Sequence, residues 1–139
     1  MALTFQEVVS TDALRKRLVH LKDLGAAVAG ASQDFAVVRG LNDSGGTIQG
    51  VYARAGTAFV GTITVLAYDV NKNGTTVFTG TKLVFTTAVA KAEQTSFTAA
   101  GAKVYNGDLL SLDCDAIGDS TAGSNIGVAV EIRVDEPND

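Results

Sequence analysis

Histidine and cysteine occur once each in this chain, as His20 and Cys114, and tryptophan does not occur. A lone cysteine cannot close a disulfide within one chain, and Cys114 sits in an alternating run where a small buried hydrophobe is expected rather than a nucleophile or ligand. With His20 as the single imidazole, a serine, threonine or cysteine nucleophile has no other histidine to serve as its base, and His20 belongs to a segment unlike the rest of the chain. No second His or Cys stands at metal-ligand spacing from it, so His20 is read as a solvated residue. A glycine-rich phosphate loop with its lysine is missing too. The expectation is a protein that is not an enzyme, with no catalytic residue, no cofactor and no metal.

Long apolar runs are also lacking. The stretch Gly25-Ala26-Ala27-Val28-Ala29-Gly30-Ala31 is far shorter than the roughly 20 residues of a membrane-spanning helix, and Lys22-Asp23 interrupts it upstream. Ala27-Val28-Ala29 matches a signal-peptidase site in isolation, without the continuous apolar run such a signal needs. Positive charge is in deficit, with 11 Lys and Arg against 15 Asp and Glu, and it is scattered apart from Arg15-Lys16-Arg17. Nucleic-acid binding needs concentrated cations and stacking aromatics, so neither nucleic acid nor membrane is expected as a partner.

What is present is β-prone composition. From Thr62 to Val70 apolar and polar residues largely alternate, Asn71-Lys72-Asn73-Gly74 supplies residues that tolerate positive φ, and Thr75 to Thr79 is β-prone again. An inner strand and an antiparallel hairpin follow from this. With that hairpin included, the candidate strands are Phe35–Arg39, Thr47–Arg54, Val60–Val70, Thr75–Thr79, Lys82–Thr86, Thr95–Thr98, Leu109–Ala116 and Gly127–Val134, with turn-rich separators between them. Ala88 to Gln94 reads either as one helical turn or as a loop between sheets. Eight short strands predict two antiparallel sheets packed as a sandwich or barrel, with Ile63, Val65, Leu110, Leu112, Val128, Val130 and Ile132 among the buried residues.

The N-terminal segment reads differently. Residues 1–31 divide into an arm, Met1 to Val9, and a helix from Ser10 to Gly25 with Leu14, Leu18, Leu21 and Leu24 on one face; residues 32–139 form the sandwich domain. Either the leucines pack this helix on its own domain, or the segment docks on another subunit. The docking candidates are Phe5, Val8 and Val9 for an apolar groove and Arg15, Lys16 and Arg17 for an acidic surface. Asp113 and Asp115 share one strand face with Asp108 and Asp119 at its ends; a solvated face is the reading preferred to a calcium site, whose EF-hand pattern the run fails, or to a glycosidase carboxylate pair.

The run Thr47-Ile48-Gln49-Gly50-Val51-Tyr52-Ala53-Arg54-Ala55-Gly56-Thr57, then Gly61 to Val65 and Asp69 to Thr75, resembles β-sandwich modules of tailed-bacteriophage virion proteins. Tyr105 to Gly118 is similar to a second pattern of the same modules. The resemblance covers residues 47 to 134 and implies a jelly-roll β-sandwich. A module that makes up nearly the whole chain looks most like a head decoration (cement) protein. Such a protein sits on the outer surface of the capsid, bound to the major capsid protein and to itself, as a homodimer before a trimer. The alternative is a receptor- or carbohydrate-binding module of a tail or fibre, which the scarcity of aromatics, with Tyr52, Tyr68 and Tyr105 as the only tyrosines, disfavours.

Overall fold

Leu110, Leu112 and Cys114 alternate with Ser111 and Asp113, and the alternation forms a strand whose first set is buried and whose second faces outward. The same period places Ile126, Val128, Val130 and Ile132 inward along the neighbouring stretch. The computed structural model describes residues 15–30 and 32–136. Among these, ten strands and one short helix follow in order: β1 Lys16–Ala26, β2 Ser32–Val37, β3 Gly46–Thr57, β4 Leu66–Lys72, β5 Thr75–Thr76, β6 Leu83–Phe85, β7 Lys91–Gln94, α1 Ala99–Ala102, β8 Lys103–Val104, β9 Leu109–Ala116 and β10 Ser124–Val134.

Two antiparallel sheets pack face to face as a sandwich. The first runs β1-β10-β3-β7, with β8 also on β3; the second runs β2-β9-β4-β5, with β6 also on β4. Between them lie Leu21, Val51, Leu66, Tyr68, Val70, Phe85, Leu110, Leu112, Val128 and Val130, all at most 2% exposed. Burying such side chains stabilises the fold by about 1.5–3 kcal/mol each. The edges of β1 and β2 are stitched together where the Lys22 amide donates to Asp34 Oδ2 at 2.9 Å. At the opposite corner Phe78 and Phe97 stack with centroids 5.8 Å apart.

The hairpin of β4 and β5 turns at Asn73 and Gly74, whose φ values of 51° and 88° are the two left-handed residues that a tight antiparallel turn needs. β4 is an inner strand, buried on both faces: Leu66, Tyr68 and Val70 enter the core, while Asp69 is shielded by Thr76 and Lys82 and Asn71 donates to Asp113.

Several sequence expectations are corrected. Lys16–Ala26 is a strand, not part of a helix: it pairs with β10 from Lys16↔Arg133 to Asp23↔Ile126, which brings the N-terminal segment into the sandwich. Leu21 is buried, whereas Leu18 and Leu24, assigned to the same helical face, are 57% and 77% exposed. Residues 10–14 of that helix lie outside the described residues. Ile63 and Val65 are exposed, at 88% and 44%, because the amides of Thr62 and Ile63 donate to the Asp119 carboxylate and the chain turns there instead of extending β4. Leu110, Leu112, Val128, Val130 and Ile132 are buried as expected. Ala88 to Gln94 resolves into a turn followed by β7, which pairs with β3 from Val51↔Gln94 to Arg54↔Lys91. Of the segment 95–98, Phe97 makes an isolated bridge to Phe78, and Thr98 caps α1 by accepting from the Gly101 amide.

Candidate functional site

The register of the first sheet assembles a groove on its outer face from four strands. Because β10 pairs with both β1 and β3, and β3 with β7, Lys22, Gly127, Arg54 and Lys91 form one row across the sheet. His20, Ala129, Tyr52 and Glu93 form the next row. Side chains two residues apart on a strand share a face, so both rows point outward, away from Leu21, Ala53 and Val128, whose side chains are buried. The result is an open cleft of about 850 Å³ with Gly127 and Ala129 on its floor.

Two glycines shape it. A Cβ at Gly127 would meet nothing within 4 Å, so the floor there borders open space. A Cβ at Gly50 would lie 2.5 Å from the Tyr52 hydroxyl oxygen and 2.7 Å from Cζ, so the phenol ring reclines along its strand over Gly50. Glycine within a strand often marks such a close approach. Tyr52 keeps 39% of its surface exposed in this pose.

The charged part of the lining is mainly basic, and Val89, Ala92 and Ala129 give it an apolar part. Lys22, Arg54 and Lys91 stand against one carboxylate, Glu93, and among the described residues none of these four side chains is engaged in an ion pair. The chain as a whole carries a formal charge of −4, which makes a concentration of free cations on one sheet face a local departure from its average. His20, read from the sequence as solvated, is exposed and lines this groove.

Of the sequence-derived docking residues, Arg15, Lys16 and Arg17 lie elsewhere. Arg15 precedes β1, and Lys16 and Arg17 open it, at the end of the sandwich where β10 finishes. Arg15 pairs with Glu136 at 3.0 Å and donates Nε to the Val134 carbonyl, so it ties the two termini of the described chain together. Lys16 and Arg17 are exposed there, with the Arg17 guanidinium donating to the Lys16 carbonyl and passing 3.4 Å from where a Cβ on Gly40 would be. Phe5, Val8 and Val9 lie outside the described residues.

The four aspartates considered as a calcium site serve separate local structures. Asp108 accepts from the Tyr105 amide and Asn73 Nδ2 in the β8–β9 turn, and Asp119 accepts from Thr62 and Ile63. Asp113 accepts from Asn71 at 2.6 Å, and Asp115 pairs with Lys82 at 2.7 Å. Hydrogen bonds to Asp115 and Asp69 hold the Lys82 ammonium above the usual lysine range against the opposing effect of burial. Among the described residues no group of three His, Cys, Asp or Glu is placed to hold a metal ion, and no helix is long and apolar enough to cross a membrane.

Two buried polar clusters were not visible in the sequence. In the core, Asp23 of β1 accepts from the Tyr68 hydroxyl of β4, joining one sheet to the other beside Cys114. Burial of the Cys114 thiol pushes its pKa up, in keeping with the small-hydrophobe reading. At the chain's end, Asp135 takes Thr47 Oγ1 at 2.9 Å, Lys103 Nζ at 2.6 Å and Arg133 Nη2 at 3.4 Å. Searched against known proteins, the chain matches no family model, no curated protein and no solved structure.

Proposed function

We propose that this chain is a structural virion protein: a decoration (cement) protein that binds the outer surface of a tailed-phage head and stabilises contacts between major capsid protein subunits. The observation that carries the reading is the strand order. β1-β10-β3-β7 facing β2-β9-β4-β5 pairs the first strand with the last and the second with the next to last, the order expected of the two interleaved Greek keys of a jelly roll. That order supports the resemblance of residues 47 to 134 to phage virion modules, which is what points to a capsid.

Attachment is assigned to the end of the sandwich where β1 begins. Lys16 and Arg17 are exposed there, and the segment carrying Phe5, Val8 and Val9 precedes them in the chain. An arm tethered to a folded module raises the local concentration of each contact for the other, which suits a clamp across subunits. Self-association belongs to the same proposal: β2 is an edge strand, and Phe35 at 68% exposure lies beside the directly paired Val37 and Leu109, a strip suited to a symmetric contact, dimeric before trimeric.

The test is rebinding to phage heads stripped of this protein. The full chain is expected to bind saturably, and a variant lacking residues 1–9 to melt at the same temperature yet bind at least about tenfold more weakly, a loss of roughly 1.4 kcal/mol. Failure of the full chain to bind would overturn the decoration reading. Unaltered binding by the truncated chain, or loss of its fold, would overturn the arm's role alone.

A further inference from the structure

We propose that the groove on the outer face of the β1-β10-β3-β7 sheet binds an acidic polysaccharide, with one sugar ring on Tyr52 and carboxylates further along the polymer at the row Lys22, Arg54 and Lys91. This site is independent of the virion reading, since it lies on a sheet face and uses none of the residues assigned to attachment.

Three observations converge on that ligand class. A sugar ring presents a flat face of C–H groups, which the negative π-face of an aromatic ring attracts, and Gly50 lets the Tyr52 ring lie down with 39% of its surface open. Around a stacked ring, hydroxyls need donors and acceptors at the sides: the ring lies over Gly50, which pairs with Glu131 of β10, and His20 and Glu93 stand in the next row with the Tyr52 backbone. On the other side of the Tyr52 backbone from the ring, Lys22, Arg54 and Lys91 have no ion-pair partner among the described residues, so anionic groups on sugars further along the polymer would meet cations that no carboxylate has to release.

The groove suits a peptide less well. It lies on a sheet face, where backbone hydrogen bonds are already used between strands, so an extended peptide could not add as a further strand.

The experiment is calorimetric titration of the full chain with a galacturonate oligomer, a neutral gluco-oligomer of equal length, polyglutamate and oligothymidylate. Saturable binding of the galacturonate oligomer alone is expected, weakening as salt rises from about 50 to 200 mM because the contacts are solvent-exposed charges. Tyr52→Ala should weaken it about tenfold, while Tyr52→Phe, which keeps the ring, should bind within about twofold. Arg54→Gln with Lys91→Gln should weaken it by a similar factor and flatten the salt dependence. Two further variants change no polar contact. Gly50→Ala forces the ring off its bed, and Gly127→Ile fills the floor with a residue that strands favour, so both are expected to lose binding while melting cooperatively. Absence of galacturonate binding would overturn the proposal. So would indifference to Tyr52→Ala and Gly127→Ile, or equal binding of polyglutamate or oligothymidylate, which would mark the face as a general anion surface or a site for another polymer.

Discussion

Replacing Tyr68 with phenylalanine is expected to lower the stability of the fold by about 3 kcal/mol, read as a shift in the urea midpoint at unchanged slope. The change removes a single oxygen, yet that oxygen is the hydrogen-bond donor to Asp23, which is 2% exposed in the centre of the sandwich. Leaving a buried carboxyl without its partner costs more than the bond itself contributes when it is made. The companion variant separates these effects. Asp23→Val together with Tyr68→Phe takes away both polar groups, and is expected to recover most of the loss, because an apolar pair of similar shape leaves nothing unsatisfied. A double variant as unstable as the single one would show that the ring position, not the polar pair, matters. The pair also sets an alkaline limit. Burial, followed by the hydrogen bond to Asp23 and the neighbouring Cys114, raises the Tyr68 phenol above its ordinary value. A raised acid stays protonated in the folded chain while the unfolded chain releases its proton, so this contribution is complete below about pH 10 and declines as pH rises beyond it.

The second large effect is expected at the chain's end. Asp135 is 2% exposed and receives Thr47 Oγ1, Lys103 Nζ and Arg133, while its backbone amide donates to Gly45 and its carbonyl accepts from Asn42. It thereby fastens the end of β10 to the start of β3 and to β8, closing the first sheet. Asp135→Ala should cost about 2 kcal/mol, less than a fully buried ion pair because Lys103 and Arg133 remain partly solvated. Burial alone would raise the Asp135 pKa, but the hydrogen bonds from Lys103 and Thr47, the Lys103 charge and Arg133 outweigh it and lower it. A lowered carboxylate contributes stability above its unfolded value of about 4 and loses it as pH falls through the folded one. Acid titration of stability should therefore be shallower in Asp135→Asn than in the parent chain.

These two clusters explain where the sequence was legible. β9, β10 and the β4–β5 turn are local signals: Leu110-Leu112-Cys114, Ile126-Val128-Val130-Ile132 and Asn73-Gly74 each declare their structure within a few residues. β1 hides because its inward set is Val19, Leu21 and Asp23, and a polar residue at a core position breaks the alternation. The remaining leucines then fit a helical spacing as well as any other. Only the Tyr68 hydroxyl, 45 residues away, makes that aspartate a core residue. β7 carries Lys-Ala-Glu-Gln, a composition with no strand preference, and is a strand because the edge of β3 lies beside it. Ile63 and Val65 mislead in the opposite direction, since their alternation is real but Asp119 captures the amides that a strand would have used. The groove was out of reach for a related reason: its residues come from four strands whose adjacency is long-range, and the one local hint is glycine at positions 50 and 127 within otherwise β-prone runs.

The decoration reading is tested most directly by locating and counting this chain in purified phage particles, with quantitative mass spectrometry against the major capsid protein and labelling by electron microscopy. A fixed, high copy number in simple proportion to the capsid subunits is expected, with label spread over the outside of the head. A few copies confined to the tail, or absence from the particle, would contradict it.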